Sequence, residues 1–354
     1  MRRRRTVLAA TPVVLALVLG GCSTAREMEQ RLNAGLRVEC PVEVDESVDA
    51  TVRIGWQTIA NGDLVVQHLG LLETCLPNAD IQWLQFKGGD DVVQAFGSAA
   101  IDLGISGSSA GVKAMSPPLS LPVQAVWIGD VIGEAEALVS NDPAITEVAD
   151  LAGATVAVTY GATPHYSLLS VLRDAGIEDE VEVINLSNDV LPAAWARGEV
   201  DAAWTWEPTL GEIVRDDGTV VMTSEESAQL GYLTFDVISA RTDFVEAEPE
   251  FMRTWTALQD WAVHHLREDP DAAARSMAVL LGQDPEVVRQ QMEGYLYLDA
   301  EDLAGEDYFG GGLGAQLEST ARFLAEVRLV DAADTLEHYE RSVHADDVLV
   351  VAQR

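Results

Sequence analysis

From Thr51 onward, short apolar runs alternate with longer segments whose apolar positions recur at helical spacing. TVRIGW, DIQWLQF and AIDLGIS read as strands, separated by helix-like LVVQHLGLLETC and DVVQAFGSA. After DLAG the alternation restarts: strand ATVAV, helix PHYSLLSVLRDAG, strand EVEVINL, helix DVLPAAWARG and strand VDAAWTW. Gly176 and Gly198 stand where a helix end turns left-handed, a conformation that costs a residue without Cβ least. TFDVISA supplies one more strand, and from Phe244 the pattern is almost wholly helical. Strand–helix alternation of this kind predicts an α/β fold, a mostly parallel sheet with helices on both faces.

Two such series, with the C-terminal helices folding back on the first, predict two α/β lobes around a central cleft. Strand C-termini and helix N-termini line such a crevice. The expected boundaries are residues 51–137 with 238–354 for lobe 1 and 138–237 for lobe 2. Hinge strands are expected near Glu136–Ser140 and Val237–Ala240.

Residues 1–21 read as a lipoprotein signal peptide. MRRRR is a basic start, Val7–Leu19 an apolar run too short to span a bilayer, and Leu19-Gly20-Gly21 the small residues before a cut. LGGC resembles the lipobox of bacterial lipoproteins, which implies lipidation of Cys22 and a tether over residues 22–50. The expected location is extracytoplasmic, lipid-anchored to the outer face of the cytoplasmic membrane; the arginines do not separate general from twin-arginine export. Without the leader's four arginines, 18 basic residues face 58 acidic ones, a formal charge of −40. Such a surface repels nucleic acid and anionic head groups, so neither is an expected partner and the membrane is met through the lipid alone. Cys40 and Cys75 remain, and outside the cytoplasm two thiols more often pair than stay free, so a disulfide is expected. There is no C-x-x-C and no His/Cys cluster, and neither a metal nor a cofactor is expected.

Two segments have the anatomy of an anion site: Gly107-Ser108-Ser109, and TYGATPHYSLL over residues 159–169. In each a strand ends in small residues and a helix begins with hydroxyl-bearing ones, so orphan N–H groups and the positive dipole end point into the cleft. Neither holds Lys or Arg, which suits a weakly basic acceptor such as a sulfonate or carboxylate. WTWEP puts Trp204, Trp206 and Glu207 at a strand end, and YLTFD brings Asp236 to the start of another. Indole faces beside a carboxylate are what an ammonium needs. Plainer readings stand beside these: helix capping for the hydroxyls, a cap or hinge role for His165, core packing for either tryptophan. Asp236 resists one, because an unpaired buried carboxylate is costly.

Gly107-Ser108-Ser109-Ala110-Gly111 also fits G-x-S-x-G, the elbow that exposes a hydrolase's serine. His338 and His344 come late enough to serve it, but they lie in polar, helical HYERSVHADD, and no HGGG-type segment precedes the serine. Holding a ligand is expected rather than cutting one, and the protein is expected not to be an enzyme.

Taken in order, IGWQT, DLGISGSSA, VWIGDVIGEAEALV, DLAGATVAV, TPHYSLL, NLSNDVLPAAWARGEVDAAWTWEP, LTFDV and STARFLAEVRLV resemble the taurine-binding proteins of ABC importers. The wider set includes binders of alkanesulfonates and related small solutes. The resemblance runs from about Val52 to Val343 and implies a type II periplasmic-binding fold. It further implies a monomer that captures taurine (2-aminoethanesulfonate) for a permease and its ATPase. The residues carried over are Gln57, Ser108, Ser109, Thr163, His165, Tyr166, Trp206, Glu207 and Asp236. The sulfonate goes to Ser108, Ser109 and the helix opening at Thr163–Tyr166; the ammonium goes to Asp236 with Trp206 or Glu207. Two departures border the sulfonate pocket: Lys87-Gly88-Gly89 stands where relatives often have Ser-Gly, and Pro164 interrupts the usual run before His-Tyr-Ser. Other solutes stay open at this point. A nitrate-like anion leaves Asp236 and Trp206 without a purpose, whereas a thiamine-precursor pyrimidine uses the tryptophans for stacking. In each case the ligand is expected to bridge the lobes and stabilise a closed hinge.

Overall fold

The computed structural model describes residues 39–354; the leader, Cys22 and the first part of the tether lie outside the described residues. The chain opens with β1 (Thr51–Trp56), α1 (Gly62–Leu69), α2 (Leu71–Cys75), β2 (Asp80–Gln85), α3 (Gly89–Gly97), β3 (Leu103–Gly107), α4 (Ser108–Met115) and β4 (Val123–Ile132). Gly70, at a φ of 63°, breaks what the sequence pattern joined as one helix into α1 and α2. β1 pairs parallel with β2 and β3, as strands joined by helical crossovers do.

A second sheet follows. It comprises β5 (Glu136–Ser140), β6 (Thr155–Val158), β7 (Glu182–Asn185), β8 (Ala202–Trp206) and β9 (Thr219–Thr223). Between them run α5 (Thr163–Ala175), α6 (Leu191–Ala196) and α7 (Thr209–Arg215), with α8 (Ser224–Gln229) after β9. Its strand order is β7-β6-β8-β5-β9. ATVAV and DAAWTW lack the apolar–polar alternation of a half-solvated strand, and the packing shows why. Val156, Val158, Ala202 and Trp204 fill one core, while Ala157 and Ala203 fill another across the sheet. Both faces are covered, so apolar positions run consecutively instead of alternating.

The chain then returns through β10 (Phe235–Arg241), which lies antiparallel between β3 and β4. Helices dominate the rest: α9 (Thr242–Ala247), α10 (Pro249–Glu268), α11 (Pro270–Leu281), α12 (Pro285–Met292), then the short β11 (Tyr295–Leu296), α13 (Ala300–Leu303), α14 (Leu313–Glu326), α15 (Leu336–Arg341) and α16 (Asp346–Val351). The first sheet is completed as β11-β4-β10-β3-β1-β2, and the C-terminal helices pack onto it around one large core. Tyr339 of α15 is fully buried there, its hydroxyl 2.8 Å from Ser116 Oγ.

Two mixed α/β sheets, one per lobe, make up the described fold. The chain crosses between them at residues 133–135 and 230–234. Glu136 and Ala137 pair in the second sheet, and Phe235–Val237 pair in the first. Gly294, just before β11, braces the first crossing, accepting from the N–H groups of Gly133 at 3.0 Å and Ala135 at 3.1 Å. A Cβ at Gly294 would lie 2.4 Å from the Ala135 nitrogen, so only glycine fits that approach.

Cys40 and Cys75 form a disulfide, Cα–Cα 5.2 Å, that ties the segment before β1 to the end of α2 across 35 residues. Asp45 N–H donates to the Cys75 carbonyl at 2.8 Å beside it. Closing a loop of that length restricts the unfolded chain by about 4 kcal/mol on the chain-entropy model. Cys40→Ser is therefore expected to lower the urea-unfolding free energy by about 2–4 kcal/mol. An unchanged midpoint would show that the bridge constrains nothing the unfolded chain lacks.

Candidate functional site

The strand ends and helix starts of both lobes enclose a cavity of about 620 Å³. Three helices open onto it: α3 through Gly88 and Gly89, α4 through Gly107 and Ala110, and α5 through Ala162 and Thr163. None of the three has a side-chain cap, whereas Asp269, Asp284, Asp299 and Thr335 cap helices elsewhere. The first N–H groups of α3 and α4 are thus left for another acceptor, but at α5 only that of Thr163 is, since Pro164 has none and the His165 N–H donates to the Ala162 carbonyl at 3.2 Å. The α3 end is already met by acids, with Asp90 and Asp91 in its first turn and Lys113 bonded to Asp90 at 2.9 Å. The first turns of α4 and α5 carry no acid of their own, and the one carboxyl at the start of α5 is Glu136, reached through the Thr163 hydroxyl.

Asp236 and Glu136 put carboxyl groups on the other part of the cavity wall, and Asp130 lies behind Asp236. Gly107, Asp236 and Asp130 form one row across β3, β10 and β4, each directly opposite the next. Opposed residues of antiparallel strands share a face, so both carboxyls project to the same side. Beside Asp130 the β4 register slips at Gly129, a bulge of the kind that re-aims side chains at sites. Gly107 leaves the space: a methyl there would sit 3.0 Å from Thr163 Cγ2 and 3.6 Å from Asp236 Oδ1. In the second sheet Glu136 of β5 lies opposite Trp206 of β8, and both line the cavity.

Burial dominates the electrostatics. It pushes the Asp236 carboxyl up to about 7 and the Glu136 carboxyl up to about 8. Asp130 is raised well above the carboxylate range, first by burial and then by the Asp236 charge beside it. Glu136 is well satisfied: Thr163 Oγ1 lies 2.6 Å from Oε2 and Ser224 Oγ 2.7 Å from Oε1. Burial also holds the Tyr295 hydroxyl, on the cavity wall, well above its usual range.

Of the residues carried over in the sequence reading, Gln57, Thr163, Trp206 and Asp236 line the cavity. Gln57 is fixed by a 2.8 Å bond from Nε2 to the Ile105 carbonyl, and the Thr163 hydroxyl is committed to Glu136. Ser108 and Ser109 are the first residues of α4, buried behind the lining, and Ser109 Oγ has no partner among the described residues. His165 Nδ1 accepts from the Gly161 N–H at 3.3 Å and its ring stacks on Tyr160 at 4.6 Å. Burial lowers its pKa to about 4, so it stays neutral and holds the 159–161 turn from behind. Tyr166 packs edge-on against Phe323 of α14 at 4.7 Å, a contact between lobes. Glu207 accepts from Gly211 N–H at 3.2 Å and Gln291 Nε2 at 3.3 Å, outside the lining. Trp204 belongs to the second-sheet core. The serine elbow finds no histidine: His338 Nε2 meets the Met115 carbonyl at 2.9 Å, and His344 pairs with Asp347 at 2.8 Å.

Residues 79–273 match the family described as NMT1/THI5 like. The chain is also 31% identical over 261 residues to the taurine-binding periplasmic protein of Escherichia coli strain K12, across 72% of this chain and 80% of that one. The chain belongs to the NMT1/THI5-like family. Among solved structures, the periplasmic aliphatic sulphonate binding protein SsuA from Escherichia coli superposes with a TM-score of 0.68 at 23% identity, covering 83% of this chain and 92% of that one. The fold also serves catalysis elsewhere: the desulfurization enzyme DSZB superposes with a TM-score of 0.62 at 16% identity, over 86% of this chain and 99% of that one.

Within this family member, sequence reasoning missed Asp130 and Tyr295 and gave Glu136 only a hinge role. The signal for Asp130 was present: a lone carboxylate inside apolar VWIGDVI, the same anomaly that singled out Asp236. The rim of the cavity is also wider than expected, reaching Lys87 on one lobe and Asp189 on the other, 3.7 Å apart and both exposed.

Glu136 sets a pH dependence. Its folded pKa of about 8 exceeds its unfolded value of 4.5, so the fold keeps a proton the unfolded chain has lost. The stability it contributes is complete below about pH 4.5 and is lost as pH rises through about 8. His165, with a lowered folded pKa, acts in the opposite sense and only below its unfolded value of 6.5. Between about pH 7 and 9 the raised carboxyls therefore decide the slope. Urea-unfolding stability should decline across that window, and Glu136→Gln should flatten the decline; an equally steep variant would refute the assignment.

Proposed function

We propose that the protein is the extracytoplasmic solute-binding component of an ABC importer, anchored through Cys22, and that its solute is taurine or a near aminoalkanesulfonate. One observation carries this reading: a single cavity joins two uncapped helix N-termini without acids in their first turns to a cluster of buried carboxyls beside an indole. The first is an environment for an anion of low basicity. The second is an environment for an ammonium, by charge-assisted hydrogen bonding and cation–π attraction. The two lie close together, since Thr163 and Asp236 both approach Gly107, which favours a short spacer between the charges. The relationship to the taurine-binding protein supports the same solute.

The sulfonate is assigned to the N–H groups opening α4 and the Thr163 N–H of α5, with Ser108 and Ser109 contributing backbone rather than hydroxyls. The ammonium is assigned to Asp236, with Trp206 against its methylene side. Glu136, bonded to both Thr163 and Ser224, links the anion helix to the cation wall. The ligand closes the lobes because each of its ends meets groups from both of them, and a permease reads that closure. The cavity volume of about 620 Å³ favours a second reading, a longer sulfonate or a protonated aminopyrimidine filling the Trp206 side.

A thermal-shift panel of taurine, ethanesulfonate, β-alanine, nitrate and an aminopyrimidine tests the assignment. Taurine at about 100 times its Kd should stabilise the fold by roughly 2.7 kcal/mol. Asp236→Asn should weaken taurine by about 10- to 100-fold, the worth of a hydrogen bond to a charged group, and ethanesulfonate far less. Equal losses for both ligands would overturn the ammonium assignment, and a response to the pyrimidine alone would favour the second reading.

A further inference from the structure

Asp130 is a buried acid behind the cleft wall, one that a zwitterion gripped by Asp236 leaves unused. It lies directly opposite Asp236 across the β4–β10 ladder, fully buried. Neither of its oxygens receives a hydroxyl, amide or cationic donor among the described residues. The charged groups that act on it are Asp236 from β10 and Glu136 from β5, both acids. Tyr295 of β11 and Tyr297 beyond it face the pair, and Glu207 acts on Tyr295 from the end of β8. Tyr297 is not free to help, because its hydroxyl donates to the Ala60 carbonyl at 2.7 Å. A carboxyl so placed keeps its proton, and the acceptor within reach is the neighbouring carboxyl.

We propose that Asp130 and Asp236 act as one proton-sharing pair, in which Asp130 donates its hydrogen to Asp236 and so positions the carboxylate that takes the ligand's ammonium, and that the ammonium enters in exchange for one proton. This deepens the reading of the solute as an ammonium-bearing sulfonate and rests on it. The exchange balances. Below neutrality both carboxyls are protonated; as R–NH3+ arrives, Asp236 gives up its proton to solvent and Asp130 keeps its own, so the occupied cluster is as neutral as the empty one and the released proton carries the charge the cation brought. The pair then selects by chemistry rather than by size. A plain alkanesulfonate has nothing to exchange, and ionisation of the pair repels its anion.

The pair behaves as a unit with macroscopic titration steps. Where one proton is displaced, affinity rises about tenfold per pH unit, and it levels off once the pair has already lost that proton. Asp130 is a positioning residue, so its variants separate donation from mere volume. Asp130→Asn retains an N–H donor toward Asp236, and Asp130→Ala does not.

Isothermal titration in two buffers of different ionisation enthalpy, from pH 5.5 to 8, with taurine, ethylamine and ethanesulfonate as probes, tests the proposal. For the unaltered protein, about one proton should be released per taurine at the acid end, falling toward zero by pH 8. Ethanesulfonate should release none and bind more weakly as pH rises. Asp130→Asn should hold taurine within a few-fold of the unaltered protein at pH 7. Asp130→Ala should bind about tenfold more weakly there, with its profile displaced to higher pH. Taurine binding without proton release overturns the pair and leaves the zwitterion reading standing. So does an Asp130→Asn loss as large as that of Asp130→Ala. If ethylamine releases a proton while taurine does not bind, the pair stands and the zwitterion reading falls. If neither cation binds, both fall. Should the variants fail to fold, the proton count of the unaltered protein decides alone.

Discussion

Burying a carboxylate costs several kcal/mol unless donors or a cation meet it, and this protein buries three at the junction of its two sheets. The surrounding backbone exists to keep them there. Asp236 and Asp130 face one another because β10 runs antiparallel between β3 and β4, and the slip at Gly129 fits both side chains into the row. Gly107 ends that row without a side chain, which is why the second lobe can bring Thr163 against it. Glu136 faces Trp206 from the other sheet, and its two oxygens tie down the first residues of α5 and α8. Protons make the arrangement tolerable, and the ligand cation proposed above would make it favourable.

The opposite end of the cleft obeys the complementary constraint. A chain with 58 acids repels anions at long range, so an anionic group must be held by dipoles acting inside the Debye length. Two helix N-termini without acids supply them, with no formal charge that would compete with the carboxyl cluster for its cation. Lys87 at the rim is the exception, and there it is matched by Asp189.

Much of the fold was legible in the sequence because it is local. The strands ATVAV and TFDVISA and the glycine stops at Gly176 and Gly198 follow from period and backbone preference, and they fall where expected. β9 went unread: TVVMT follows a charged turn, is partly exposed and carries no alternation that marks it out. The site was legible in part. Asp236 announced itself as an acid in an apolar strand, and Asp130 offered the same signal unheeded. What no period reveals is which polar side chains are already taken. Thr163 is committed to Glu136, and His165 to the Gly161 N–H, so two hydroxyl- and imidazole-bearing residues that looked like donors serve the walls instead. Tyr166 is taken by Phe323, a pairing 157 positions apart that only the tertiary fold creates.

That last contact bears on how two charges could hold two lobes. A ligand shifts a hinge only through contacts that differ between the open and closed states. Each proposed half-site straddles the division: α4 and Asp236 belong to the first lobe, α5, Glu136 and Trp206 to the second. Neither half is complete until the lobes meet, so both ends of a zwitterion favour closure. On the far flank Tyr166 against Phe323 and Arg173 bonded to Glu326 at 2.9 Å join the same lobes through α5 and α14. An ion pair that exposed contributes little, and the aromatic contact adds about 1 kcal/mol beyond its buried area. On the closure proposed above, the flank guides the lobes into register, while the larger share of the closing free energy falls to whatever neutralises the buried acids.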